Sequence, residues 1–198
     1  MSNFAKNNYL FVKDLVPSVF ANFLFNVVRL RRTRHSNPNE PGFFELSGVQ
    51  GVQVPGSFTS YGCAMFDQIL LDLQPKVEEL TGLKLIPTYS YNRLYITGDK
   101  LPKHTDREAC EISVTLALGH IGGENKVFVQ DVNGEGVGYN LEPGDAIIYR
   151  GIDVAHWREL YNGIALANSF FHYINKDGPH TKEKYDKRDK NIFKHFGD

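Results

Sequence analysis

The stretch Tyr91-Asn92-Arg93-Leu94-Tyr95-Ile96-Thr97-Gly98-Asp99-Lys100-Leu101-Pro102-Lys103-His104-Thr105-Asp106-Arg107 decides how the rest of the chain is read. It holds an alternating aromatic run, a Gly-Asp turn and then His104-Thr105-Asp106. A strand-like segment follows, from Glu111 to Leu118. About fifty residues past His104, the turn Pro143-Gly144-Asp145 feeds the apolar run Ala146-Ile147-Ile148-Tyr149, and a lone His156 comes after it. Two imidazoles and one carboxylate can hold a divalent iron on one face and leave coordination positions open. Open positions on a redox metal imply oxygen chemistry rather than a closed structural site. In a strand, residues i and i+2 point to the same face. The spacing therefore predicts that His104 and Asp106 look into one cavity, that Thr105 points away, and that a distant strand delivers His156. Any one of these histidines alone would be read as a hydrogen-bonded or surface side chain. The three together, in this context, favour the metal. His35, His120, His172, His180 and His195 lack such spacing and are expected to be structural or exposed.

Working outward, the pattern changes character near Leu83. Before it, Val16, Phe20, Phe23, Leu24 and Val27 recur at helical spacing, which predicts an amphipathic helix over residues 15–30. A second helix is predicted over 62–81, with Met65, Ile69, Leu70, Leu73, Val77 and Leu80 on one side and an end at Thr81-Gly82. Pro75 is expected to kink or split it. The segment His35 to Tyr61, rich in Pro, Gly, Asn and Ser, reads as loop with short extended pieces. After Leu83 come strand patterns at roughly 84–96, 110–118, 126–132, 137–141, 145–149, 154–160 and 164–174. Helices followed by a run of strands predict a mostly β, α+β chain: a sandwich or barrel with helices on one sheet. One domain is expected, with helical support over 1–82, a β core over 83–174 and a charged tail over 175–198.

Bulk properties narrow the partners. Twenty-two Lys and Arg against 23 Asp and Glu give a formal charge of −1, so no global field draws the chain to nucleic acid. The basic cluster Arg29, Arg31, Arg32, Arg34 fits the C-terminal end of the first helix, where cations are favourable. Two scattered cysteines, Cys63 and Cys110, suit a reducing compartment rather than a disulfide framework. Leu15 to Val28 is too short to span a bilayer, and Asn22 and Asn26 interrupt it. These features predict a soluble, cytoplasmic protein.

With those residues in view, the chain resembles the iron(II)/2-oxoglutarate-dependent dioxygenases, most closely their prolyl-hydroxylase-like branch. The resemblance rests on Tyr91 through Arg107 and on Gly144-Asp145-Ala146-Ile147-Ile148-Tyr149 through His156-Trp157-Arg158-Glu159 and Gly163. It implies a cupin-like jelly roll, a double-stranded β-helix, with His104, Asp106 and His156 as ligands of Fe(II). It also implies 2-oxoglutarate as cosubstrate, dioxygen as co-reactant and a prime substrate, peptide or small molecule, that the motif leaves open.

One departure matters. Members usually carry a basic residue about ten positions after the distal His, against the far carboxylate of the cosubstrate. Here that region reads Gly163-Ile164-Ala165-Leu166-Ala167-Asn168-Ser169, with no cation. A dianion in a partly buried pocket still needs one. Arg158, two residues past His156, is the first candidate; a surface pair with Glu159 is its alternative. Arg93 is the second candidate, sharing an alternating face with Tyr89, Tyr91 and Tyr95, and Tyr95 sits near the family position whose phenol bonds the cosubstrate. Thr115 belongs to the small polar set Glu111, Ser113, Thr115, Ala117, which suits a ligand pocket, against the apolar set Ile112, Val114, Leu116, Leu118. Arg107 could orient Asp106, contact substrate or lie at the surface. The rival to an oxygenase is a cupin-like metal protein, an isomerase or a small-ligand-binding module.

Overall fold

The computed structural model describes residues 3–35, 53–55 and 57–188. The expected loop pieces over 36–52, His195 and the tail beyond 188 lie outside the described residues. The elements run α1 (Asn3–Asn7), β1 (Tyr9–Val12), α2 (Ser18–His35), β2 (Phe58–Tyr61), α3 (Ala64–Thr81), β3 (Leu85–Ile96) and β4 (Leu101–His104). They continue with β5 (Ile112–Ile121), β6 (Lys126–Gln130), β7 (Gly136–Asn140), β8 (Ala146–Arg150), β9 (His156–Arg158) and β10 (Ala165–Asn175). The strands form a six-stranded sheet in the order β1-β8-β5-β10-β3-β2 and a four-stranded sheet in the order β4-β9-β6-β7. Every pairing is antiparallel.

The alternation along β5 explains how the layers stack. Ile112, Val114, Leu116 and Leu118 are fully buried and join one apolar cluster with Ala21, Leu24, Phe25 and Val28 of α2 and Phe66, Ile69, Leu70, Leu73 and Val77 of α3. Both helices thus lie on the outer face of the larger sheet, α2 over β5 and α3 over β3. The opposite residues of β5, Ser113, Thr115 and Ala117, turn inward. A second cluster between the sheets holds Ala117, Val127, Val129, Leu141, Ile147 and Tyr149. The apolar face of the large sheet is therefore its outer, helix-covered face, and its inner face carries the polar groups.

The helices differ from the sequence pattern in detail. Helix α2 starts at Ser18 and runs to His35, later than the expected 15–30 at both ends. Helix α3 passes unbroken through Pro75. Pro75 lies on the exposed side, so the backbone carbonyl that loses its partner can turn to water. The helix ends as expected at Gly82, whose φ of 76° and N–H donation to the Glu78 carbonyl make a left-handed cap. Three short strands that alternation does not reveal, β1, β2 and β4, sit at sheet edges. Beyond β10 the chain forms tight 3-10 turns over Thr181–Lys187, which pack on β3 and on a short turn at Glu108–Cys110. Among the described residues no helix is long and apolar enough to cross a membrane, and Cys63 and Cys110 are unpaired thiols.

Candidate metal centre

Strand pairing brings His104 and His156 together from opposite ends of the β region. The two residues are direct partners across β4 and β9, after a register shift between Leu101 and His104. Their rings lie 4.3 Å apart at 54°. Asp106 reaches them by a different route from the expected one. Strand β4 ends at His104, and Asp106 sits in the following loop, where its N–H donates to the Gly151 carbonyl at 2.8 Å. Strand alternation therefore does not govern this residue, and Thr105 is not turned away: it lines the same cavity as His104, Asp106 and His156.

The hydrogen bonds of the imidazoles set their tautomers. Nδ1 of His104 lies 2.9 Å from the Pro102 carbonyl, and Nδ1 of His156 lies 3.0 Å from the Val154 carbonyl. A carbonyl can only accept, so each Nδ1 carries its proton and each neutral ring presents an Nε2 lone pair. Those two nitrogens face one oxygen of Asp106 at 3.7 and 3.6 Å. Burial lowers the pKa of both histidines, His156 to about 4, and the two rings further depress protonation of His104. Neutral rings cannot pair ionically with Asp106, whose own pKa burial raises to about 6, so near neutral pH two lone pairs converge on a mostly ionised carboxylate. Donors held about 2.1 Å from a shared ion stand roughly 3.0 Å apart when cis in an octahedron and 3.4 Å apart in a tetrahedron. The observed separations are about 0.2–0.3 Å wider than the tetrahedral and about 0.6–0.7 Å wider than the octahedral spacing, a gap that a small inward shift of Asp106 closes, and the donor set fits a divalent cation.

Asp106 is held from behind. Its Oδ2 accepts from the Ser113 hydroxyl at 3.0 Å. That hydroxyl has one proton, and with it donated to Asp106 the Nδ1–H of His172 can donate to Ser113 Oγ at 2.9 Å. His172, expected to be structural or exposed, is buried on the cavity wall, and burial lowers its pKa to about 3. Tyr89 stacks on it at 4.5 Å, and the Tyr89 hydroxyl lies 3.0 Å from Cys110 Sγ. Asp106, Cys110 and His172 also cluster within ligand distance of one another. Burial keeps the Cys110 thiol protonated, so this second group supports Asp106 and is a poor cation site.

The cavity holding the triad measures about 430 Å³. Its remaining wall includes Gln53, Tyr91, Arg93, Arg107, Tyr149 and Phe170. Of the four residues expected to bind a cosubstrate, only Arg93 lines it directly. Thr115 lies one step back, with its hydroxyl 3.1 Å from the Tyr149 hydroxyl. Tyr95 lies between the two arginines: Arg93 sits 5.8 Å and Arg158 5.0 Å from its ring. Arg158 is inward and 3 % exposed, as alternation from His156 predicts, and the intervening Trp157 stacks outward on Phe128. Its guanidinium donates to Asn125 Oδ1 at 2.7 Å and to the Lys126 carbonyl at 3.0 Å, and it borders a separate depression of about 300 Å³. No surface pair with Glu159 forms; Glu159 instead accepts from Trp157 Nε1. Arg107 stacks on Tyr89 and grips Asp186 with two bonds of 2.6 and 2.8 Å, which ties the 181–187 turns to the cavity rim.

Two facing antiparallel sheets, helices on the outer face of the larger one, and a His-Asp-His cluster between them define the architecture as a jelly roll, a double-stranded β-helix. Among solved structures, a prolyl-4-hydroxylase from Pseudomonas putida superimposes with a TM-score of 0.63 at 17 % identity, over 88 % of this chain and 96 % of that one. A viral collagen prolyl hydroxylase from Paramecium Bursaria Chlorella virus-1, in complex with 2-oxoglutarate, gives 0.60 at 10 % identity over 87 % and 98 %. HygX from Streptomyces hygroscopicus, with nickel and 2-oxoglutarate bound, gives 0.62 at 11 % identity over 88 % and 85 %. The sequence matches no protein-family model and no curated protein. At these identities the likeness is one of fold.

Proposed function

We propose that the protein is an Fe(II)- and 2-oxoglutarate-dependent oxygenase acting on an unactivated C–H bond of a peptide or small molecule. The observation that carries this reading is the convergence of two Nε2 lone pairs and one carboxylate inside a jelly roll, with open cavity on their free side. His104, Asp106 and His156 would hold the metal. When bound, iron and 2-oxoglutarate supply dioxygen activation, with decarboxylation of the cosubstrate to succinate and oxidation of the substrate. The chain's own share is placement. The Pro102 and Val154 carbonyls fix the two imidazoles, and Ser113 fixes the carboxylate. Tyr149, whose ring lies 4.5 Å from that of His156, is held protonated by burial and can donate a hydrogen bond toward the metal side of the cavity.

Arg158 would hold the distal carboxylate of 2-oxoglutarate, assisted by the Tyr95 hydroxyl. Support comes from its position. Its Nη2 donates to Asn125 Oδ1, the Asn125 amide donates in turn to Asn168 Oδ1 of β10 at 2.9 Å, and its ring neighbour Tyr95 is the cross-strand partner of Leu166. Arg158 thus brings its charge from β9 to the part of β10 that lacks a basic residue. Its Nε has no partner among the described residues, and no described carboxylate neutralises it. The test is aerobic 2-oxoglutarate turnover with and without ferrous iron. Succinate formation that requires iron, and that is lost in His104→Ala, Asp106→Ala and His156→Ala, is expected. Tight metal binding with no succinate would favour the rival, a metal-dependent isomerase or binding module.

A further inference from the structure

Among the described residues, Arg93 joins Arg158 as a buried cation without an acid beside it. It is 3 % exposed and lines the cavity beside His104, Asp106 and His156. Its neighbours are neutral. Nη2 donates to the Tyr91 hydroxyl at 3.1 Å and to Gln53 Oε1 at 3.4 Å, and the guanidinium stacks at 5.3 Å on the Tyr91 ring. Nε is buried with no hydrogen-bond partner among the described residues. Burial works against this charge, but the neighbouring Tyr95 and Tyr91 hydroxyls outweigh it and keep the guanidinium protonated. An isolated buried cation costs several kcal/mol unless an anion joins it.

Charge bookkeeping assigns that anion. A ferrous ion with Arg93 and Arg158 brings four positive charges into the interior. Asp106 and 2-oxoglutarate bring three negative ones. Arg107, the other arginine on the cavity wall, is already neutralised by Asp186. One positive charge remains, and Arg93 carries it on the open wall. The groups around it complete a cradle of donors. Tyr91 accepts from Arg93 and so keeps its own O–H to give, and Gln53 accepts through Oε1 and keeps its amide N–H groups. Next to this cradle the wall is aromatic, with Tyr91 and Phe170 6.0 Å apart and Tyr89 beyond.

We propose that the prime substrate is a small carboxylic acid with an apolar body, its carboxylate held by Arg93, Tyr91 and Gln53. This deepens the oxygenase reading and rests on it. A carboxylate matches the single residual charge and the planar fork of a guanidinium. The aromatic wall takes the apolar part and leaves a C–H bond facing the triad.

The experiment uses protein loaded with nickel(II) and 2-oxoglutarate, which does not turn over. Calorimetric titration is run with free L-amino acids and short 2-hydroxy acids, each paired with its neutral carboxamide. Binding confined to acids is expected. Arg93→Gln should weaken the bound acid at least tenfold and change the 2-oxoglutarate constant less than twofold. Arg93→Lys should keep the preference for acid over amide, and it decides the matter if the Gln variant does not fold. Three results overturn the proposal: no acid in the panel binds, amides bind as well as acids, or Arg93→Gln weakens 2-oxoglutarate instead. Failure of the underlying reading shows earlier and separately, as wild-type protein that binds no 2-oxoglutarate with nickel present.

Discussion

Gly151→Ala should loosen the metal centre without replacing a ligand. A Cβ at Gly151 would lie 2.2 Å from the Cys110 carbonyl oxygen, 2.6 Å from Asp106 Oδ2 and 2.8 Å from Ser113 Oγ. Ordinary contacts begin near 3.4 Å, so the backbone clash alone exceeds an ångström. The φ of Gly151 is not in the left-handed region, and the whole effect is the collision. Retreat is blocked on two sides. The Gly151 carbonyl accepts from the Asp106 N–H at 2.8 Å, and the Gly151 N–H donates to the Glu111 carbonyl at 3.0 Å. The added methyl must push the Asp106 loop and Ser113 away from β8 by about an ångström. Overpacking of this kind costs roughly 1–3 kcal/mol, which for a chain of this length lowers Tm by about 2–12 °C. Disturbing the support of a ligand typically costs about 10–100-fold in metal affinity. Calorimetric titration with nickel(II) and thermal melts with and without the metal read both numbers. Nickel affinity within twofold of wild type, with an unchanged melt, would refute the claim that this backbone approach positions Asp106.

Three further outcomes follow from the same geometry. Arg158→Ala should raise the 2-oxoglutarate dissociation constant of nickel-loaded protein about tenfold or more, for the loss of a charge-assisted contact of roughly 1.5–3 kcal/mol, with nickel binding retained; an unchanged constant would move the anchor elsewhere. Ser113→Ala removes the donor to Asp106 and strands the buried Nδ1–H of His172, which should cost about 1–3 kcal/mol in a denaturant melt and weaken nickel binding about tenfold or more. Burial works to raise the Asp186 pKa, but hydrogen bonds from Arg107 and Tyr61 prevail and hold it below the usual value. A depressed carboxylate stabilises the folded state above its unfolded pKa and loses that contribution as pH falls through the folded one. Hydrogen exchange over residues 181–188, corrected for intrinsic rate, should therefore stay slow at pH 5 to 7 and rise below about pH 4, and Asp186→Asn should exchange fast throughout.

How far such arguments could start from sequence depends on which force sets each position. Period-two alternation reports burial, and it works where a strand is long and its two faces differ. It places Ile112, Val114, Leu116 and Leu118 under the helices and Ser113 and Thr115 inside, and it carries Arg158 inward from His156. Helical periodicity works for the same reason in α3; in α2 it finds the helix but not its buried face, because Phe20 and Phe23 are exposed and Ala21, Leu24, Phe25 and Val28 pack inward. It fails at Pro75, because it does not say that the proline faces water. The edge strands β1, β2 and β4 have only four residues each and owe their conformation to a partner's backbone, such as Tyr9 opposite Tyr149. That information is tertiary. Asp106 is the instructive site residue. It lies beside His104 because of a loop bonded to Gly151, and strand geometry would give the right neighbour for the wrong reason, misplacing Thr105.

His172 had a signal, though a faint one. Asn168, Phe170 and His172 occupy alternate positions on β10, facing Arg93, Tyr91 and Tyr89 across the β3 pairing. On the opposite face, Ala167 and Phe171 pack under the helices and Ser169 donates to Asn92. The interior set is largely polar and the exterior set largely apolar, the reverse of what a strand at a protein surface shows. Burying such a set costs free energy unless each member finds a partner. The Arg158–Asn125–Asn168 chain and the His172–Ser113–Asp106 chain are those partners. Arg93 alone among them faces open cavity with a donor unused and no acid beside it. Strands β3, β5 and β10 each turn a polar face inward at the same level. A sheet with that inversion on three adjacent strands lines its cavity with groups able to hold a charged ligand.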